Sequence, residues 1–308
     1  MVVYNPFHSI GLFSVFETEI IKNADVYTGG FNAQYGGVLS SVMDITTKDG
    51  NKKRTTGKVA ASTFGANLLL EGPLLKNNDK RGYSMSYVLS AKNSYLSKTS
   101  TSIYSYMNKE LPYDYLDLYG KLTLATDNGT KLNLFALNFT DKVNQYEAIA
   151  DFGWQNRAFG ANFLILPGSS SSLIEGVVAY SDYTMNMSET TTNISQMSNI
   201  GGFNVGLSVT NFFGENRLKY GMNMLGNTTK SLFGKGRGSG WQRLHKVGDE
   251  KHWFIRCYGE YAHSGRKSVQ RPVRRFQCPE GCPARHQIRC AVPLSAGETG
   301  GGPAHGGY

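Results

Sequence analysis

Apolar and polar residues alternate with a period of two along much of this chain, which predicts extended strands with two unlike faces. In Phe203–Asn211, Phe203, Val205, Leu207 and Val209 share one face; Asn204, Gly206, Ser208 and Thr210 share the other. Leu218–Met224 sets Leu218, Tyr220, Met222 and Met224 opposite Lys219, Gly221 and Asn223, and Gly214-Glu215-Asn216 between these runs reads as a hairpin turn. The pattern repeats in Tyr83–Ala91, Leu116–Leu124, Lys131–Thr140, Phe159–Leu166 and Leu173–Tyr183, with turn signals at Thr126-Asp127-Asn128-Gly129 and Pro167-Gly168. About eight strands of ~9–12 residues are expected between residues 57 and 230, against 5–6 residues in an average soluble strand. Residues 1–50 are less regular. Val15–Val26 predicts a short helix or turn, the pairs Gly29-Gly30 and Gly36-Gly37 predict tight turns with positive φ, and Val38–Thr46 predicts a strand closed by Lys48-Asp49-Gly50-Asn51.

The polar face of these strands narrows the class. It is built from Gly, Ser, Asn and Thr, where the wet face of a soluble sheet usually carries Lys and Glu. A strand tilted across a bilayer needs ~9–11 residues with one apolar face. Tyr83, Tyr87, Tyr113, Tyr115, Phe139, Tyr180, Tyr183, Phe212 and Phe213 fall near strand ends, where an outer-membrane barrel carries its aromatic girdles. A soluble β-sandwich or β-solenoid satisfies the alternation equally and stands as the alternative. No apolar run reaches the ~18 residues of a transmembrane helix, and residues 1–20 lack the basic start and unbroken apolar core of a signal peptide.

Composition agrees with an all-β chain: charged residues are only 18%, with 36 Gly, 18 Tyr and 16 Phe. The formal net charge of +9 is unevenly spread. Residues 236–308 hold 12 Lys+Arg against 5 Asp+Glu, and 9 of those 12 are Arg; the preceding residues hold 4 Arg and 16 Lys. All 4 Cys, 5 of 6 His and 5 of 9 Pro also lie in 236–308. The shift is read as a junction near Lys235, so the overall basicity does not argue for nucleic acid as a partner. Residues 236–308 are expected to be a basic, Cys/Pro/Gly-rich tail and not a native domain.

The run Val3-Tyr4-Asn5-Pro6-Phe7-His8-Ser9-Ile10-Gly11-Leu12-Phe13-Ser14-Val15-Phe16 resembles the late plug segment of TonB-dependent outer-membrane receptors. Gly30-Phe31-Asn32-Ala33-Gln34-Tyr35-Gly36-Gly37, followed by Ser40-Ser41-Val42 and Ile45-Thr46-Thr47-Lys48, resembles the plug terminus, and Leu70-Glu71-Gly72-Pro73-Leu74 the early barrel. The resemblance covers about 3–235. It implies residues 1–50 as the C-terminal part of a plug domain and 51–235 as the first strands of a barrel. The expected architecture is all-β: an open, curved antiparallel sheet of about eight strands, a partial transmembrane β-barrel, with a plug remnant. The implied function is active uptake of a scarce nutrient (siderophore, vitamin, sugar or peptide). The implied partners are outer-membrane lipid, the periplasmic TonB energy-coupling complex and the nutrient. The family's barrel has ~22 strands around its plug, so about eight strands are expected to be unable to transport alone.

The same resemblance places His8, with Asn5, near the substrate-facing surface of the plug, while Gly29, Gly30, Gly36 and Gly37 would serve turn geometry. Asp44 and Asp117 lie on small-polar faces, as lumen-facing or hydrogen-bonding groups. Cys278, Cys282, His286 and Cys290 are zinc-ligand types, but a uniform spacing of four lacks the central loop that lets two ligand pairs converge. No metal or cofactor is therefore expected; the rival function is a soluble or surface β-rich structural or binding protein with a basic tail, whose Cys and His would then be read as zinc ligands. Gly234, Gly236, Gly238 and Gly240 fit neither phosphate-binding fingerprint. No nucleophile–base constellation is visible, so no enzymatic activity is expected.

Overall fold

A computed structural model describes residues 2–8, 13–29, 33–35, 40–76, 82–103, 111–146, 150–168, 171–189, 194–235, 245–263 and 287–290. Two short ladders come first: β1 (Phe7–His8) with β2 (Phe13–Ser14), and β3 (Ile21–Tyr27) with β4 (Val42–Thr47). Nine antiparallel strands follow: β5 (Thr56–Ala61), β6 (Gly65–Leu75), β7 (Tyr83–Ser94), β8 (Tyr113–Thr126), β9 (Lys131–Tyr146), β10 (Ala150–Ile165), β11 (Ser172–Glu189), β12 (Ile194–Phe213) and β13 (Asn216–Lys235). Each pairs with its chain neighbour. β14 (His245–His263) extends the sheet along β13, and β15 (Gln287–Cys290) adds to it in parallel. The order is linear from β5 to β15, so among the described residues the eleven-stranded sheet is open at both edges.

The all-β expectation holds, with two corrections. The large sheet has eleven strands where about eight were expected, and β14 and β15 of that sheet lie past residue 235. Strands β8 to β13 run 14 to 20 residues, because stretches such as Thr184–Glu189 and Ile194–Asn199 pair by backbone hydrogen bonds without a clear apolar alternation to announce them. Val15–Val26 holds a single 3-10 turn (Thr18–Ile20), after which Ile21 opens β3. One eight-residue helix, α1 (Leu96–Ile103), follows β7. The hairpin turns at Gly129 and Gly214 carry φ of 87° and 57°, a conformation that glycine adopts without Cβ strain.

The faces are reversed relative to a soluble protein. The small-polar face is the covered one: Ser84, Ser86, Ser90, Asp117, Lys121, Thr123, Asp141, Asn156, Ser181, Ser208 and Thr210 are all buried. Described residues before Gly50 lie against this face: Val15, Phe16 and Ile20, with Val3, Ile21 and Ile45 beside them, pack on Leu69, Val88, Tyr119, Leu137, Phe139 and Ala158. The apolar rows face outward. Leu134 is 47% exposed, Val178 55% and Leu207 48%.

The outward apolar band stops along one register row. Ala136, Phe159, Tyr180 and Phe203 are direct cross-strand partners, with the Phe159 and Tyr180 rings 5.6 Å apart. Two residues further along each strand the row reads Asn138, Arg157, Asp182, Gly201 and Thr228. The aromatic residues expected as girdles divide accordingly. Tyr83, Tyr87, Tyr180 and Phe213 point outward; Tyr113, Tyr115, Phe139, Tyr183 and Phe212 share the parity of the covered face and point inward.

Candidate functional site

Chemistry concentrates where residues 2–50 meet the covered face. The β1–β2 ladder delivers His8 to the wall, where it is 1% exposed. Alternation along β8 sets Tyr115, Asp117 and Tyr119 on the same side, and the β8–β9 register brings Asp141 beside them. His8 Nε2 lies 2.8 Å from Asp117 Oδ2, and Nδ1 lies 3.6 Å from Asp141 Oδ2. The imidazole stacks on Tyr115, with centroids 4.5 Å apart and planes at 8°. Lys92 completes the group: its Nζ sits 3.8 Å from Asp117 Oδ2 and 5.0 Å over the Tyr115 ring, and donates a 2.7 Å hydrogen bond to the Ser14 carbonyl.

A second ionic group holds the other end of the segment, where β4 leads into the sheet. Asp49 accepts from Lys121 Nζ at 2.9 Å and from Lys131 Nζ at 2.7 Å. Lys121, whose side chain is 6% exposed, also donates to the carbonyls of Thr47 (3.1 Å) and Lys48 (3.2 Å). Tyr119 donates to Thr47 Oγ1 at 2.8 Å, and Lys48 pairs with Glu71 at 3.2 Å. Burial alone would raise the Asp49 carboxyl; hydrogen bonds from Lys131 and Lys121 outweigh it and hold the group down at about 2. Gly50 passes so close to the wall that a Cβ there would fall on the backbone carbonyl of Tyr87.

Burial by itself would lower the proton affinity of His8, but the hydrogen bond to Asp117 and the nearby Asp141 carboxylate outweigh it and raise it above the ordinary value. The contact is therefore a charged clamp between the segment and the wall. A raised folded-state affinity gives stabilisation that is complete below the unfolded value of ~6.5 and is lost as pH climbs through the folded value. The opening equilibrium of residues 2–8, taken from hydrogen exchange corrected for intrinsic rates, is expected to rise with pH above ~6.5, by up to tenfold per pH unit. His8→Gln should flatten that response; an unchanged response in the variant would remove His8 as its origin.

The placements expected from sequence are met unevenly. His8, expected near a substrate-facing surface, is 1% exposed, and the neighbouring crevice lined by Lys92, Asp117 and Tyr119 has a volume of ≈ 10 Å³, room for a water at most. Asn5 is half-buried; its carbonyl accepts from Asn156 Nδ2 at 3.0 Å and its Oδ1 from the Phe7 amide at 3.2 Å. Gly29 sits in open space at a bend without positive φ, so its turn does not require glycine; Gly30, Gly36 and Gly37 lie outside the described residues. Asp117 faces the covered side, as expected, whereas Asp44 is exposed on β4 and accepts from the Tyr35 hydroxyl. Cys278, Cys282 and His286 fall outside the described residues, and Cys290 ends β15.

Asp49, Lys92, Lys121, Lys131 and Asp141 were not singled out from sequence. The available signal was charge at inward parity on strands whose inward face is otherwise small and polar. No protein-family model matches this chain, and neither does any curated protein.

Proposed function

We propose that the chain is part of a TonB-dependent outer-membrane receptor, with residues 2–50 as plug and β5 onward as barrel wall, serving uptake of a scarce nutrient. The inversion of the sheet carries the reading. A water-facing surface of Leu, Val, Phe and Met beside a buried face of Ser, Asn, Thr and ionic groups is unfavourable in water, by ~25 cal/mol per Å² of apolar area left wet. In hydrocarbon the same surface is at its optimum. On β12 the outward run from Phe203 to Phe213 spans, at ~3.3 Å per residue and ~45° tilt, about 23 Å, close to the ~25 Å apolar band of outer-membrane barrels.

The segment on the polar face then has a mechanical role. It is tied to the wall by the His8 group at one end and the Asp49 group at the other, with an apolar patch between. Force from a periplasmic coupling protein would have to break these contacts to open a path along the Ser-, Asn- and Thr-lined wall. The nutrient is a siderophore, vitamin, sugar or peptide. In lipid both sheet edges must be paired, so the reading requires strands beyond the eleven described.

The test is expression of the chain with an outer-membrane targeting signal in a Gram-negative host. It should fractionate with the outer membrane and resist carbonate extraction. A freely soluble monomer, with the Leu134, Val178 and Leu207 rows buried against a second layer of its own, would overturn the reading.

A further inference from the structure

The apolar residues of β10 and β11 change face at the row of Phe159 and Tyr180. Below it, toward the turns at Gly129 and Gly214, they point outward; above it they point inward. On β11 the outward positions above the row are Asp182, Thr184, Asn186 and Ser188, while Tyr183, Met185 and Met187 point inward. β10 follows, with Arg157 and Gln155 outward and Trp154 and Phe152 inward. The outward change is what leaving hydrocarbon for water requires. The inward change is not, because the wall below is already lined with Ser, Asn and Thr. An apolar inward surface gains only when something apolar covers it.

Register makes the inward patch continuous. Phe152 faces Met187 and Trp154 faces Met185, with the Phe152 and Trp154 rings 5.9 Å apart and 7° from parallel. All four residues are half-buried. The same two rows continue onto β12 and β13 as neutral hydrogen-bonding groups: Ser198 and Ser231 beside Met185, and Gln196 beside Met187. From β10 to β13 neither row carries a charged residue, nor does the row of Asn156, Tyr183, Ile200 and Thr229 beneath them. Adjoining register positions hold three acids, Asp141, Glu189 and Glu250, against one base, Lys235, and His245. At the foot of the patch the Tyr4 ring lies 6.3 Å from that of Tyr183, so the segment on the polar face borders it from below.

We propose that this patch binds a neutral ligand with a flat aromatic face and hydroxyl or amide groups along one edge. The ring system lies on Trp154, Phe152 and the two thioethers, which favour a π surface; the polar edge meets Gln196, Ser198 and Ser231. The mainly acidic margin disfavours an anion. The inference rests on the uptake reading above and narrows its nutrient to a neutral aromatic compound.

The probe is riboflavin, a neutral fused ring with a hydroxylated chain. Flavin mononucleotide supplies the same ring with a phosphate, and ribitol the chain without the ring. Binding to the full chain in neutral phospholipid vesicles is read by flavin fluorescence and equilibrium dialysis, against protein-free vesicles. Carbonate resistance is scored first in each sample.

The expected result is saturable riboflavin binding, roughly tenfold or more tighter than that of flavin mononucleotide and not displaced by ribitol. Trp154→Ala and Met185→Glu should each weaken it roughly tenfold, about the loss of one good aromatic contact. Asn186→Glu, one residue further along β11 on the outward face, should leave it unchanged. Four results from inserted protein would overturn the proposal while leaving the membrane reading intact: no saturable riboflavin binding, equal affinity for flavin mononucleotide, displacement by ribitol, or Asn186→Glu as damaging as Met185→Glu. Wild-type binding in both inward variants would do the same. Failure of the wild-type chain to insert would overturn both.

Discussion

Leu207→Arg is expected to weaken insertion of the sheet by about 2–4 kcal/mol, the cost of a cationic side chain near the bilayer midplane on the lipid face of a barrel. Leu207 is 48% exposed and lies in a register row with Leu124, Leu132, Phe163, Gly176 and Met222, all of outward parity. It sits two outward positions below Phe203, near the middle of the run from Phe203 to Phe213. Asn199→Arg, on the same strand and face but beyond Phe203, should cost only about 0–1 kcal/mol. Denaturant titration of folding into vesicles gives both values. In water the two variants should behave alike, since an exposed Leu gains nothing from its position. Equal costs, or better behaviour of Leu207→Arg, would sink the membrane assignment.

Loss of the Asp49 clamp is the second large effect. Asp49→Ala leaves Lys121, 6% exposed at its side chain, without its carboxylate, and removing one partner of a buried pair costs about 3–5 kcal/mol. The carbonyls of Thr47 and Lys48 remain on Lys121 and place the expectation at the lower end of that range. The same contact predicts an acid response. With its folded value held at about 2, below the unfolded ~3.9, Asp49 contributes stability that is present above pH ~4 and lost as pH falls toward 2. Lys58→Ala is the control: Lys58 pairs with Glu19 at 2.6 Å, but the two side chains are 56% and 42% exposed, so its loss should leave the protein close to wild type. Protease susceptibility of residues 40–50 across a denaturant series reads both. A wild-type-like Asp49→Ala would show that the segment is held by its apolar patch alone.

Missed features share a cause. β5 and β6 carry Gly57, Gly65, Gly72 and Pro73, which interrupt alternation, and the ladder forms because β7 supplies a paired edge. Of the short helix or turn expected in Val15–Val26, the turn forms, because Val15, Phe16 and Ile20 must all reach the wall and Lys48 donates to the Ile20 carbonyl at 2.8 Å. His8 was legible as unusual, being the lone histidine before residue 245, yet its burial was not. Its partner Asp117 stands 109 residues away, and the Asp49 partners 72 and 82 residues away.

Period-two alternation is a local property of the chain, so the strands, their turns at Gly129 and Gly214 and the unlikeness of their faces were readable from residue order alone. Alternation is symmetric and says only that two sides differ; it was the small-polar make-up of one side that pointed to it as the inner one. What lies against that side was decided only by the packing of Val15, Phe16 and Ile20 on the inward rows. Register then brought distant charges into two clamps, since Coulomb energy depends on separation in space and carries no trace in a one-dimensional order.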